Sequence, residues 1–185
     1  MYTMIQAGSM GVPYVPTLGY AGSDVIKRRT DDFKTVPNPF DPDEMLVVAR
    51  AINPDVAVFH ALKGDKRGNV LVQKGGEELM LAQASRKVIF TVEEIVDRVN
   101  PDDPDGWFIP SIHVTAVVHA PFGAHPTAAP GYYDADNELI QEYIDASDSD
   151  EAFEAYLNKY VFEVDGHEGY RERMRLAPVR ESVAL

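Results

Sequence analysis

Short, continuously apolar runs separated by turns constrain the fold of this chain more than any other feature of its sequence. The runs "LVVARA", "VAVFHAL", "GNVLVQ", "VIFTVE" and "SIHVTAVVHA" follow one another between residues 46 and 120. Continuously apolar strands are covered on both faces, which is typical of parallel sheets, whereas alternating strands have one solvated face. "EELMLAQASRK" has apolar residues at helical spacing, and "EEIVDRV" predicts a short helix. The pattern predicts an α/β fold with a mostly parallel sheet flanked by helices.

The same patterns predict four segments along the chain. Residues 1–45 are rich in glycine and proline and lack sustained periodicity, so we expect an irregular but ordered arm that packs on another surface. Residues 46–135 carry the apolar runs and form the predicted α/β core. Residues 136–176 have apolar side chains at helical spacing, which predicts C-terminal helices. Residues 177–185 are expected to be a tail.

Charge argues against several classes of partner. The 185 residues carry a formal net charge of −13. Nucleic acid and anionic membrane surfaces both attract clustered Lys and Arg, so we expect neither as a partner. The one compact basic cluster, "KRR" at residues 27–29, is expected to be solvated, and contact with a phosphorylated cofactor is the alternative.

Composition also bounds the chemistry and the compartment. The chain has no cysteine, so it has neither a disulfide framework nor a thiol nucleophile. No apolar run reaches the roughly 18 residues of a transmembrane helix, and the N-terminus lacks a basic leader. We therefore expect a cytoplasmic enzyme or enzyme subunit.

The segment "AGSMGVPYVPT" is the first candidate for a binding role. Gly8 and Gly11 can expose backbone N–H groups, and Pro13 and Pro16 fix the chain that follows. Such a stretch can hold an oxyanion or a carboxylate. Because a lone glycine pair is common in ordinary turns, a purely structural role is the favoured interpretation.

Two further segments place polar side chains beside predicted strands. In "HALKGDKRGN", Asp65 and Asn69 frame a tight turn that Gly68 permits, and a turn stabilised by these side chains is the favoured interpretation. In "TVEEIV", Glu93 follows the predicted strand and Glu94 begins the predicted helix. A carboxylate there can serve as an acid, a base or a nucleophile, or it can simply complement the helix dipole. The sequence leaves both roles open.

The segment "HAPFGAHPTAAPGYY", residues 119–133, is unusually rich in small and stiff residues around His125. This composition predicts that another molecule or another segment of chain packs closely against this backbone. His113 and His119 lie on one predicted strand, where histidines satisfied within a sheet are more common than metal ligands. No histidine pair has a metal-ligand spacing, and no serine lies in a G-x-S-x-G turn, so the sequence predicts neither a metal site nor a serine hydrolase.

Together these segments resemble the α subunits of class I CoA-transferases. "AGSMGVPYVPT", "NPDVAVFHA", "GDKRGN", "KVIFTVEEIV" and "APFGAHPTAAPGYYD" occur in that order, before the helix-rich "FEAYLNKYVF". Within this family, the chain is most similar to the α subunits of glutaconate and 3-oxoacid CoA-transferases. The resemblance implies an open, three-layer α/β fold with a C-terminal helical segment.

The resemblance also implies a reaction. A glutamate on the β chain of the enzyme attacks an acyl-CoA thioester, and the acyl-glutamyl anhydride becomes a glutamyl-CoA thioester that passes CoA to a second carboxylic acid. Coenzyme A enters as a substrate thioester, and neither a metal nor a redox cofactor is implied. The reaction needs donors that stabilise an oxyanion, and one such donor is worth about 10²–10³ in rate. The nucleophile's motif has no match in this sequence, so we expect a site that a partner subunit completes.

The residues that the resemblance brings near the substrate belong to four of the segments. They are Gly11, Val12, Pro13, Asp65, Asn69, Glu93, Phe122, Gly123, Ala124 and His125. We expect Gly11 and Pro13 to shape an acyl pocket, and Gly123, Ala124 and His125 to line it. Asp65 and Asn69 are expected to fix a turn near the same edge. Glu93 is expected to orient backbone or partner groups, and it is also the fallback candidate for a catalytic residue.

Two features keep other functions open. Family α subunits have a further glycine-rich sheet segment before the "GVP" stretch, which implies either a further chain that supplies it or a shortened relative. One alternative is therefore an acyl-CoA hydrolase on the same fold, which cleaves a thioester or a ring C–C bond. The other alternative is a non-catalytic stabilising subunit.

Overall fold

The computed structural model describes residues 1–17 and 19–176, which form two compact units. The first unit comprises Met1–Phe59, Gly75–Ile89 and Ile109–Ala116, and the second comprises His60–Lys74, Phe90–Phe108 and the described residues from Val117 to 176. The strands are β1 (Tyr14–Thr17), β2 (Phe33–Asn38), β3 (Asp41–Arg50), β4 (Val56–Asp65), β5 (Val70–Val72), β6 (Lys87–Val96), β7 (Trp107–Ile109) and β8 (Ala116–His119). The α-helices are α1 (Tyr2–Ser9), α2 (Asp24–Arg28), α3 (Glu78–Ala84), α4 (Asn137–Ala146), α5 (Asp150–Leu157) and α6 (Gly166–Met174).

The first unit contains a three-stranded antiparallel sheet in the order β1-β3-β2. Pro16 and Pro37 lie on its edge strands, where proline is tolerated because one side of the strand is unpaired. The core of this unit consists of the buried residues Met4, Phe33, Val47 and Ala49. The sheet is held by this apolar core together with its ladder of backbone hydrogen bonds.

The N-terminal segment contains more regular structure than its composition indicates. The expectation of an irregular arm over residues 1–45 is wrong in this respect, because α1, β1, α2, β2 and the first part of β3 lie there. Strand β1 is short and contains a proline, and its partner residues lie 30 to 36 positions away, with Tyr14 opposite Arg50 and Thr17 opposite Val47. The periodicity of apolar residues within a short window cannot indicate a pairing between strands so far apart in sequence.

A second, five-stranded sheet has the order β7-β5-β4-β6-β8. It is mixed and largely parallel, and β4 and β5 form an antiparallel pair. Phe90 and Val92 of β6 are fully buried, as the continuously apolar runs predict. In the second unit, the buried residues Leu62, Leu71 and Val99 form one apolar cluster.

Two local predictions in this region are wrong. Strand β6 continues through Glu93 and Glu94 to Val96, where the sequence predicts a helix from "EEIVDRV". "SIHVTAVVHA" is not one strand, because Ser111–His113 is a 3₁₀-helix and β8 begins at Ala116. His113 and His119 therefore do not share a strand.

The described chain after residue 136 is mainly helical. The carboxylate of Asp136 caps α4 by accepting the Leu139 N–H, and Ser149 caps α5 by accepting the Ala152 N–H. A π-helical turn follows over Asn158–Phe162, and α6 completes the described chain. The predicted tail lies outside the described residues, and the division at residues 45, 135 and 176 stays a prediction. Among the described residues, no helix is long and apolar enough to cross a bilayer.

Candidate functional site

Glu93 lies at the centre of a hydrogen-bond network in the second unit. Its side chain projects from β6 and is almost fully buried. Oε1 accepts hydrogen bonds from the Tyr133 hydroxyl at 2.6 Å and from Nε2 of His60 at 2.5 Å. Oε2 accepts the backbone N–H of Phe122 at 2.7 Å. Nδ1 of the same imidazole lies 2.8 Å from Oγ1 of Thr91, so the ring is fixed at both nitrogens.

These bonds keep Glu93 ionised although it is buried. Burial raises the pKa of a carboxyl group, because the charged form loses its hydration. The hydrogen bonds from His60, Tyr133 and the Phe122 N–H outweigh burial, so the pKa of Glu93 lies below its ordinary value of 4.5. Burial, together with the hydrogen bond to Glu93, raises the pKa of the Tyr133 hydroxyl, which therefore stays protonated as a donor.

The network fixes one side of the segment formed by residues 120–127, which we call the ledge. Phe122 has a φ of 63°, which is rare for a residue with a side chain and costs about 1–2 kcal/mol. Its N–H bond to Glu93 and the stacking of its ring on Tyr133, with centroids 4.8 Å apart, hold this conformation. The Tyr133 hydroxyl also accepts the N–H of Ala124 at 3.0 Å. One buried carboxylate and one tyrosine thus set the path of the ledge.

Every backbone N–H of the ledge already has an acceptor inside the chain. Three of these bonds stay within the ledge: Gly123 N–H donates to Ala120 O, His125 N–H to Phe122 O, and Thr127 N–H to Ala124 O. The other three reach outside it: Ala120 N–H donates to Val92 O, Phe122 N–H to Glu93 Oε2, and Ala124 N–H to the Tyr133 hydroxyl. Pro121 and Pro126 have no N–H. The ledge therefore offers its surroundings a shape, but no backbone N–H donor that is not already used.

Gly123 is required by the interior of the chain. A Cβ at this position would lie 2.7 Å from Cε1 and Nδ1 of His60 and 2.8 Å from the carbonyl oxygen of Ala120. The lack of a side chain at Gly123 is predicted to make room for a ligand or a partner. In the structure it makes room for the His60 ring. The outer surface of Gly123 is exposed, so a ligand or a partner can still approach the backbone there.

His125 is enclosed within the second unit. Its side chain is 5% exposed, Nδ1 lies 2.7 Å from the Tyr170 hydroxyl, and Nε2 lies 3.5 Å from Oδ2 of Asp136. Burial lowers the pKa of His125 and outweighs the opposing effect of Asp136, so the neutral form is favoured. The imidazole packs and hydrogen bonds inside the chain, and its predicted position against a substrate stays a prediction.

Asp65 and Asn69 form the turn that the sequence predicts. Oδ1 of Asp65 accepts the N–H groups of Arg67 at 2.9 Å and Asn69 at 3.0 Å. Oδ2 accepts the Asn69 side-chain amide at 2.9 Å and the N–H of Val99 at 3.1 Å. Burial raises the pKa of Asp65, but these bonds outweigh it and lower the pKa overall. The interpretation as a turn fixed by its own side chains is confirmed.

Gly11 has a structural explanation in the first unit. It has a φ of 70° and follows the end of α1. Its N–H donates to Gly8 O, and the N–H of Val12 donates to Ala7 O, which is the Schellman pattern of a glycine-terminated helix. Gly11, Val12 and Pro13 are exposed, and the role of this segment in an acyl pocket stays a prediction.

Three residues that complete these networks are not predicted from the sequence. His60 lies 33 positions from Glu93, Tyr133 lies 40 positions from it, and Tyr170 lies 45 positions from His125. "PGYY", which follows the ledge after two alanines, is the one local signal, since it places two tyrosines beside a tight turn. Among the described residues, no group of His, Asp and Glu could hold a metal ion.

Sequence comparison relates the chain to one enzyme family. The family profile of coenzyme A transferase matches residues 1–120. The A subunit of glutaconate CoA-transferase from Acidaminococcus fermentans is 33% identical over 94% of this chain and 59% of the relative. The A subunit of 3-oxoadipate CoA-transferase from Pseudomonas knackmussii is 36% identical over 84% of this chain and 54% of the relative. The cholesterol ring-cleaving hydrolase IpdA subunit from Rhodococcus jostii is 29% identical over 85% and 57%, respectively.

The fold agrees with the sequence comparison. The crystal structure of glutaconate coenzyme A-transferase from Acidaminococcus fermentans matches with a TM-score of 0.84 at 32% identity. The match covers 96% of this chain and 61% of that chain. The predicted α/β fold is thereby confirmed. The chain spans between 54% and 59% of the length of the three relatives.

Proposed function

The chain belongs to the coenzyme A transferase family, and on this premise we propose that it is a subunit of a hetero-oligomeric CoA-transferase. The assembled enzyme moves CoA between an acyl-CoA thioester and a carboxylic acid. The observation that carries this proposal is the fold match to glutaconate CoA-transferase, which extends over 96% of this chain at a TM-score of 0.84. The sequence identity of 33% to one chain of that enzyme supports the same assignment.

The reaction proceeds through a glutamate of the partner subunit. Its carboxylate attacks the thioester carbonyl, the C–S bond breaks, and an acyl-glutamyl anhydride and the CoA thiolate form. The thiolate attacks the glutamyl carbonyl of the anhydride, which releases the first carboxylate and leaves a glutamyl-CoA thioester. The second carboxylic acid collects CoA by the reverse steps. No redox change occurs, and no reactant beyond the two acids and CoA is needed.

The geometry of Glu93 supports a nucleophile on another chain. Both of its oxygens accept hydrogen bonds, and its pKa is lowered, which makes the carboxylate a stable acceptor. A nucleophile must instead approach a carbonyl carbon, which would require breaking the bonds to His60, Tyr133 or Phe122. We assign Glu93 the role of holding the ledge against which the acyl-CoA lies.

Coexpression with the neighbouring reading frames tests this function. The purified complex is supplied with short-chain and dicarboxylic acyl-CoA thioesters and with free acids, and CoA exchange is followed by mass spectrometry. We expect ping-pong kinetics and a partner subunit that carries a borohydride-sensitive CoA adduct. A complex that forms no adduct and exchanges no CoA with any acid would refute the proposal, as would full transferase activity of this chain alone.

Hydrolysis is the second candidate, because of the ring-cleaving hydrolase of Rhodococcus jostii, which is 29% identical over 85% of this chain. The same complex distinguishes the two reactions when the acceptor acid is omitted. A hydrolase of thioesters releases free CoA into water, and a ring-cleaving hydrolase yields an acyl-CoA that has gained one water. A transferase does neither at a comparable rate.

A further inference from the structure

Helix α6 meets the ledge with three side chains on one of its faces. Nε2 of His167 lies 2.7 Å from the carbonyl oxygen of Pro121, and the hydroxyl of Tyr170 lies 2.7 Å from Nδ1 of His125. The guanidinium carbon of Arg171 lies 5.9 Å from the centre of the Phe122 ring. Positions 167, 170 and 171 are spaced i, i+3 and i+4, so these side chains project from the same side of the helix.

Polar contacts, rather than apolar burial, attach this helix. No residue of α6 is buried, and its sequence, "GHEGYRERM", has little apolar surface to bury. Arg171 is nevertheless 15% exposed at its side chain, because it lies between Glu168, at 3.0 Å, and the Phe122 ring. Elements with little apolar burial open more readily than core strands. The attachment of α6 therefore depends on a few identifiable groups.

We propose that α6 clamps the ledge through contacts separate from those of Glu93, with Tyr170 as a positioning residue that fixes His125 and thereby the surface offered to acyl-CoA. This inference rests on the proposed function for its substrate but not for its structural content. Glu93 holds Phe122 and, through Tyr133, Ala124, whereas Tyr170 holds His125. The exposed backbone of Gly123 lies within this doubly held segment.

The clamp determines how well the ledge is ordered before substrate binds. A ledge that is already ordered loses little conformational entropy on binding, whereas a loosened ledge must be reordered by the substrate. Loss of the clamp therefore weakens substrate and transition-state binding equally. The kinetic signature of such a change is a raised KM with an unchanged kcat.

Hydrogen exchange of the full chain tests the clamp without any assumption about activity. Tyr170→Phe keeps the ring and removes only the hydroxyl. We expect exchange of the amides of residues 120–127 to become about fivefold faster, in line with the loss of one hydrogen bond. Tyr143→Phe is the matched control, because Tyr143 is half exposed and its ring contacts Phe153 and Tyr156 rather than the ledge.

The outcomes separate the clamp from the proposed function. Unchanged ledge exchange in Tyr170→Phe would overturn the clamp, and so would an equal acceleration in β6, which would indicate general loosening. In the assembled enzyme, the same variant is expected to raise the KM for acyl-CoA about fivefold while kcat stays within about twofold. A lowered kcat at constant KM would contradict the positioning role. A complex without transferase activity would refute the proposed function and leave the exchange result to decide on the clamp.

Discussion

The backbone N–H of Phe122 donates to Oε2 of Glu93 at 2.7 Å, although the two residues are 29 positions apart. This bond ties the middle of strand β6 to a residue in a left-handed conformation at the start of the ledge. The same carboxylate accepts bonds from His60 and Tyr133 through its other oxygen. The structure thus uses a buried charge as an anchor for a loop.

Glu93→Gln is expected to lower the free energy of unfolding by about 1–3 kcal/mol at neutral pH. Glutamine has nearly the same shape, but its NH₂ group takes the place of one of the two oxygens that accept hydrogen bonds from three donors. Urea denaturation measures the change. Glu154→Gln is the matched control, because Glu154 is exposed on α5, and we expect its effect to be below about 0.5 kcal/mol. Equal stability of the two variants would contradict the anchoring role.

The contribution of Glu93 is expected to depend on pH in a defined direction. Its pKa is lowered in the folded chain relative to the ordinary value of 4.5, so the folded state binds the proton less readily than the unfolded state. The stabilisation is therefore fully present above pH 4.5 and is lost as the pH falls through the folded-state pKa. Denaturation of the wild-type chain and Glu93→Gln across this range should show their stability difference shrinking in acid. A difference that grows in acid would be inconsistent with this sign.

Gly123→Ala is expected to destabilise the chain by about 1–3 kcal/mol, since the new methyl group meets the His60 ring and the Ala120 carbonyl oxygen at less than 3 Å. Gly19→Ala is the control, because its nearest neighbour, Oγ1 of Thr17, would lie at an ordinary 3.7 Å. Thermal unfolding compares the two. Combined with His60→Ala, the Gly123→Ala effect should be smaller than in the wild-type background, because one of the two obstacles is removed. Full additivity would show that the ring is not the obstacle.

Asp65→Asn is expected to cost about 1–3 kcal/mol of unfolding free energy. Each of the two oxygens of Asp65 accepts two N–H groups. Asparagine has only one acceptor oxygen, so its NH₂ group would face two of these four donors. The measurement is the urea midpoint, with the exposed Asp31→Asn as its control. A midpoint equal to that of the control would mean that this turn does not depend on the carboxylate.

The sequence predicted the fold class and most of the strands that carry the site. Continuously apolar runs are decisive because burial on both faces leaves no alternation, and Phe90 and Val92 are indeed fully buried. The Asp65 turn was also predictable, since all but one of its bonds join residues within four positions. Hydrogen bonds can be predicted from the sequence where the bonded residues are close together in it.

The centre of the candidate site was not predictable in the same way. Adjacent acidic residues at Glu93 and Glu94 indicate a helix start, but both lie in β6, which is paired with β4 and β8. Their side chains accept hydrogen bonds from the distant His60 and Tyr132. Neither a periodicity nor a turn rule connects β6 with residues about 30 to 40 positions away. The sequence shows that Gly123 is small, but it does not show the His60 ring that makes a small residue necessary there.

Under the proposed function, the backbone of the ledge, whose N–H groups all have acceptors, has a steric role towards the substrate rather than an electrostatic one. A tetrahedral intermediate needs donors for its negative oxygen, and none of the N–H groups in residues 120–127 is left to supply one. Substitutions along the ledge should consequently change which acyl groups fit. The electrostatic part of the rate enhancement has to come from groups outside this segment.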